Sequence, residues 1–105
     1  MINPTVAVVQ TSSDARGTEA TVRKVVALIG ECGQKGALVA LFPEALIGGY
    51  PKGASFNIYV GARTPEGREE FRHYHAQSIN VPGVETAALG EAAREASLFL
   101  TIGVI

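Results

Sequence analysis

The run from Ala37 to Gly53, ALVALFPEALIGGYPKG, constrains the chain more than any other stretch. It opens with continuous apolar residues from Ala37 to Phe42, the length and character of a strand buried on both faces. Pro43 ends the run, because proline has no N–H to give to a sheet ladder. Glu44 follows at once, a carboxylate set between apolar neighbours. The chain then turns glycine-rich and aromatic through Ile47, Gly48, Gly49, Tyr50 and Pro51. Open α/β sheets place functional residues in this way, at the carboxyl ends of buried strands and in the loops beyond. Glu44 is therefore expected at the end of a strand over 37–42, less exposed than an ordinary glutamate. The bland alternative, a carboxylate in solvent after a strand, describes most glutamates.

The rest of the chain reads as alternating strand and helix. Thr5 to Gln10 is a valine-rich first strand. Thr11 to Gly17 is a polar connection with turn and cap residues, Ser12, Ser13, Asp14 and Gly17 among them. A helix is predicted from Thr18 to Cys32, with Val22, Val25, Val26, Ile29 and Cys32 on one apolar stripe and Gly33 as its stop. Strand, helix and strand with short joints predict a βαβ unit and a parallel pair. Residues 54–63 show no clear period.

Thr64-Pro65-Glu66 is a helix start, with a threonine cap, proline at the first position and an acid in the first turn. Phe71, Tyr74 and Ser78 are predicted on the inner side of that helix, which ends before the turn at Val81-Pro82-Gly83. A third helix is predicted from Val84 to Ala96, burying Leu89, Ala92, Ala93 and Ala96. A third strand is predicted from Leu98 to Ile105. The fold class is α/β. An apolar strand running to the last residue predicts that residues 1–105 are the front part of a longer domain.

Composition excludes several classes. A chain of 105 residues with formal net charge −1 lacks the basic face of a nucleic-acid binder. No basic run followed by an apolar segment opens it. No apolar run approaches the roughly 20 residues needed to span a bilayer. A single cysteine, Cys32, cannot form an internal disulfide and suits a reducing compartment. Together these features predict a cytoplasmic protein.

Three segments resemble a known family in order and spacing. FPEALIGGYPKG (Phe42 to Gly53), VGARTPEGREEFRHYHAQSINVPG (Val60 to Gly83) and LFLTIGVI (Leu98 to Ile105) are similar to the nitrilase branch of the carbon–nitrogen hydrolases. The likeness runs from Thr5 onward. It implies a four-layer αββα sandwich, of which this chain supplies the opening strands and helices. It also implies hydrolysis of an organic nitrile to a carboxylic acid and ammonia, with a small-molecule nitrile as the partner. Neither a metal nor a cofactor is implied, nor a nucleic acid or membrane. The family's habit of assembly implies a homo-oligomer.

Family members use a glutamate, a lysine and a cysteine, and the resemblance assigns the glutamate to Glu44 as general base. The chemistry needs one: a thiol with a pKa of about 8.5 is mostly protonated at neutral pH, and the thiolate is the nucleophile. The family's lysine and cysteine fall beyond Ile105. Cys32 sits on the inner stripe of the first helix and reads as a small buried hydrophobe. Lys52 belongs to the YPKG piece, not to a lysine motif, and reads as a loop residue with a structural ion pair.

Tyr50 has two readings, a pocket wall with one hydroxyl or ordinary loop packing. His73 and His75 are two apart, which turns their rings away from each other on a helix and argues against a shared metal. The competing functional reading is a non-catalytic α/β interaction module, or an inactive remnant of a nitrilase.

Overall fold

The computed structural model describes residues 3–51, 54–57 and 63–105. The elements run β1 (Thr5–Val8), α1 (Thr18–Gln34), β2 (Ala37–Leu41), α2 (Pro65–Ala76), α3 (Val84–Glu95) and β3 (Phe99–Thr101). The three strands form a parallel sheet in the order β1-β2-β3. The predicted βαβ unit and parallel pairing are present.

Each strand joins the sheet on the same side of its predecessor. Right-handed crossovers then lay both connecting helices on one face. α1 and α3 indeed pack on each other, α1 against β2 and α3 against β3. The core lies beneath them. It comprises Val22, Val25, Ile29 and Cys32 of α1, Leu89 and Ala92 of α3, and Ala37, Ala40 and Phe42 from β2 and its end.

Register assigns the strand residues to two faces. Ala7, Ala40 and Leu100 are partners across the sheet and lie on the helical side, where Ala40 is 0 % exposed. Val6, Val39 and Phe99 form the row before it, and Val8, Leu41 and Thr101 the row after. These rows point away from the helices, with Val8 72 % and Phe99 80 % exposed. The central strand, expected to be buried on both faces, is thus covered on one among the described residues, because both crossovers send their helices to the same side.

α1 runs two residues past its predicted end at Cys32, through the expected stop at Gly33. Gly33 lies inside it, and a methyl there would sit 2.8 Å from Ala96 Cβ; the glycine permits close approach of α1 to the end of α3. The stop is at Gly36, with φ 79°, a left-handed conformation that glycine adopts without Cβ strain. At the other end, Gly17 caps α1 with no side chain to offer. Gln77 takes its place: its Oε1 accepts from Thr18 N at 2.9 Å across 59 residues, and Thr18 Oγ1 donates to the Gln77 carbonyl.

α2 begins as predicted, with Gly67 N donating to Thr64 Oγ1 at 3.1 Å and Pro65 in the first turn. Its inner stripe differs from expectation. Phe71 is 49 % exposed, Ser78 lies beyond the helix end, and Gly67 alone in α2 is buried. Phe71 and Tyr74 pack on Phe56, with ring centroids 5.4 and 5.6 Å away. The stripe therefore meets a loop phenylalanine rather than the core. β3 is shorter than the predicted 98–105. After Thr101 the chain leaves β2 and follows the turn around Glu44, pairing again at Val104 with Ile47.

Candidate active site

β2 ends one residue before Phe42, whose N–H still donates to Thr101 O at 2.8 Å. Pro43 has no N–H and its carbonyl accepts from Gly103 N at 3.2 Å. Glu44 is thereby delivered at the carboxyl end of the central strand, as expected. Its neighbours Ala45, Leu46 and Ile47 are buried. Ala45 has φ 50°, a left-handed conformation that costs an alanine roughly 1–2 kcal/mol. Gly49 N donates to Ala45 O at 3.0 Å, closing the turn. Gly48 and Gly49 follow with φ 105° and 104°, which explains the glycine pair.

Glu44 is exposed, not shielded as expected of it. The turn stands at the rim of the sheet: Leu46 and Ile47 are held in the core, while Glu44 faces outward. The carboxylate opens onto a hollow of about 510 Å³. Thr11, Ser12 and Ser13 from the β1–α1 connection form one wall, and Pro43, Leu46 and Tyr50 contribute to the other. Tyr50 is 60 % exposed. Together with Ser13 and Gly49 it also borders a second hollow of about 570 Å³ that contains Asp14, Arg16, His73 and Gln77. The tyrosine thus stands between the two recesses, close to the turn that carries the acid.

In the second recess Asp14 and Arg16 form a two-pronged pair, Arg16 Nε to Oδ1 at 2.9 Å and Nη2 to Oδ2 at 2.8 Å. Hydrogen bonds from the Arg16 side chain and backbone hold the Asp14 carboxyl well below the usual carboxylate range. The same contacts raise the guanidinium. Asp14 N donates to the buried Thr21 hydroxyl at 2.9 Å, which donates in turn to Gly17 O at 2.8 Å. The pair therefore shapes the loop that walls the Glu44 hollow.

The other sequence candidates lie elsewhere. Cys32 is buried on the core stripe of α1 and does not line the Glu44 hollow. His73 faces Glu69, with Nε2 3.6 Å from Oε1. Among the described residues no group of three or more His, Cys, Asp or Glu side chains could hold a metal ion. Lys52 lies outside the described residues.

Two contributors were not legible in the sequence. Ser13 Oγ donates to Leu46 O at 2.7 Å across 33 residues, and Gly103 lies against the backbone of Glu44 and Ala45. Both contacts cross between elements, so no local pattern announces them.

Residues 5–105 match the family model described as carbon–nitrogen hydrolase. An aliphatic nitrilase from Sinorhizobium fredii is 61 % identical over 94 % of this chain and 32 % of its own length. Nitrilase 1 from Arabidopsis thaliana is 47 % identical over 95 % of this chain and 29 % of its own. A bifunctional nitrilase/nitrile hydratase from Nicotiana tabacum is 46 % identical over 93 % of the chain and 28 % of its own. The chain therefore spans at most about a third of the length of these curated relatives. With a parallel α/β layer, an acid at the end of its central strand and a family match across almost every residue, the chain belongs to the carbon–nitrogen hydrolase family.

Proposed function

We propose that residues 1–105 form the amino-terminal part of a nitrilase domain. The whole enzyme takes a nitrile and two waters to a carboxylic acid and ammonia. The observation that carries this reading is the 61 % identity to an aliphatic nitrilase over 94 % of the chain. The position of Glu44, at the carboxyl end of a central parallel strand and open to a hollow, supports it further. The substrate class is an aliphatic nitrile.

In this reading Glu44 is the general base. A cysteine thiol, supplied from beyond this segment, gives its proton toward Glu44 as sulfur adds to the nitrile carbon. The nitrile nitrogen gains a proton and a thioimidate forms on the cysteine. A lysine, also from beyond the segment, stabilises the charge that develops. Water then replaces nitrogen, which leaves as ammonia, and a second water releases the acid from the acyl-enzyme. Tyr50 supplies an aromatic wall and a hydroxyl to the substrate recess. We also propose a cytoplasmic, homo-oligomeric enzyme, the assembly following the habit that the family resemblance implies.

The test is ammonia release from an aliphatic nitrile by the full-length protein. Glu44→Gln keeps the side chain's size but cannot accept the proton, so the rate is expected to fall at least ~100-fold. Unchanged ammonia release by that variant would remove Glu44 from the mechanism. Tobacco relatives named as bifunctional nitrilase/nitrile hydratases favour a second product. Amide is therefore to be measured beside acid in the same assay.

A further inference from the structure

The turn carrying Glu44 is gripped from two sides by groups outside it. On one side lies Gly103. Its N–H donates to Pro43 O at 3.2 Å and its carbonyl accepts from Ile47 N at 3.1 Å. A methyl on Gly103 would sit 2.3 Å from Ala45 N, 2.6 Å from Glu44 Cα and 2.8 Å from Glu44 C. All three are backbone atoms, so none can rotate aside. Gly103 is not among the glycines with positive φ. Lack of space, rather than a left-handed φ, is what demands glycine there. On the other side, Ser13 Oγ donates to Leu46 O at 2.7 Å. Between these two contacts Ala45 is held in its left-handed conformation.

We propose that Gly103 and Ser13 are positioning residues that set the Glu44 carboxylate at proton-transfer distance, Gly103 by fixing the backbone behind it and Ser13 by anchoring the far end of its turn. This rests on the reading of Glu44 as general base. A base must come within hydrogen-bond reach of the proton that it takes. Ordinary contact begins at 3.4 Å, so a methyl at Gly103 drives the Glu44 backbone away by nearly an ångström. A displacement of that size costs roughly 100-fold in rate.

The experiment uses the full-length protein and compares Gly103→Ala, Ser13→Ala and Glu44→Gln, with Gly90→Ala as control. A methyl at Gly90 meets nothing within 4 Å. kcat, KM and the pH–rate profile of ammonia release are measured beside thermal melts, with rates normalised to folded protein. Gly103→Ala is expected to lower kcat about 100-fold, leave KM within about twofold and move the acid limb of the pH profile. Adding it to Glu44→Gln is expected to cost nothing more, because the group that it displaces is already disabled.

A merely structural role would lower the melting temperature, leave kcat and the acid limb unchanged, and so overturn the proposal. Should Gly103→Ala fail to fold, Ser13→Ala decides. A loss of roughly tenfold in kcat is expected from one hydrogen bond, and a full kcat overturns the proposal. Inactive Glu44→Gln beside fully active Gly103→Ala removes the positioning role and spares the base. Fully active Glu44→Gln removes both.

Discussion

The sheet has two apolar faces with different fates. On the helical side small residues, Ala7 and Ala40, let α1 and α3 settle close, and Ile29 and Val25 above them are 0 % exposed. On the other side larger residues, Val6, Val8, Leu41 and Phe99, stand exposed. Residue type is apolar in both places. The difference comes from the hand of the crossovers and the strand order, which send both helices to one side. An apolar strand residue thus announces that it is written for burial, while topology decides which neighbour buries it. The exposed face is what a second layer, as in a four-layer sandwich, would cover; left open, such a face invites association with other chains.

The sharpest way to break this contrast is to truncate one residue on each face. Ile29→Ala, under α1, is expected to cost about 2–5 kcal/mol through lost burial and the cavity left behind, read from urea unfolding of the 105-residue chain. Phe99→Ala is expected to cost under about 0.5 kcal/mol in that chain, as surface changes do. In the full-length protein the same change is expected to cost about 3–5 kcal/mol. Equal small losses in both contexts would mean that nothing covers the open face.

A smaller effect sharpens the contrast at α2, which rests on neither face. Its first turn depends on Thr64, whose hydroxyl accepts from Gly67 N. Thr64→Ala is expected to cost about 1 kcal/mol, measured by thermal or urea titration of the full-length protein. No loss would show that the amide finds another acceptor.

The smallest effect concerns the loop that walls the Glu44 hollow. Asp14 has its pKa lowered by Arg16. Its ion pair therefore contributes stability that is fully present above the unfolded carboxylate pKa of about 4 and is lost progressively as pH falls from there through the lower folded value. Melts of wild type and Asp14→Asn are expected to differ slightly at pH 7 and to converge in acid. The exposed position of Arg16 keeps the difference small. A gap that does not narrow at all between about pH 5 and pH 2 would assign the effect to the turn geometry instead of the charge.

Much of the fold was legible because its causes are local. The stripe Val22, Val25, Ile29, Cys32 marks a one-sided helix by its spacing, and Thr64-Pro65 marks a helix start by satisfying or omitting orphan amides. Pro43 marks the end of β2 by lacking an N–H. The strand–acid–glycine order likewise announced where Glu44 would stand. The misses share one cause. Gly33 looked like a stop, yet the approach of Ala96 requires a small residue there. Phe71 looked like core, yet it meets Phe56 on a helix that the core does not reach. Glu44 was expected to be shielded, yet its rim position leaves it open.

By itself the sequence determined the α/β alternation, the core stripe of α1, the cap of α2 and the delivery of an acid to the end of a central strand. Spacing and backbone chemistry within a few residues are enough for each of these. Tertiary structure alone decided which sheet face is covered, that Gln77 caps a helix 59 residues away, and that Ser13 and Gly103 grip the Glu44 turn. Those outcomes depend on contacts between distant segments, and the hydrogen bonds and close approaches that make them exist only once the strands are in register.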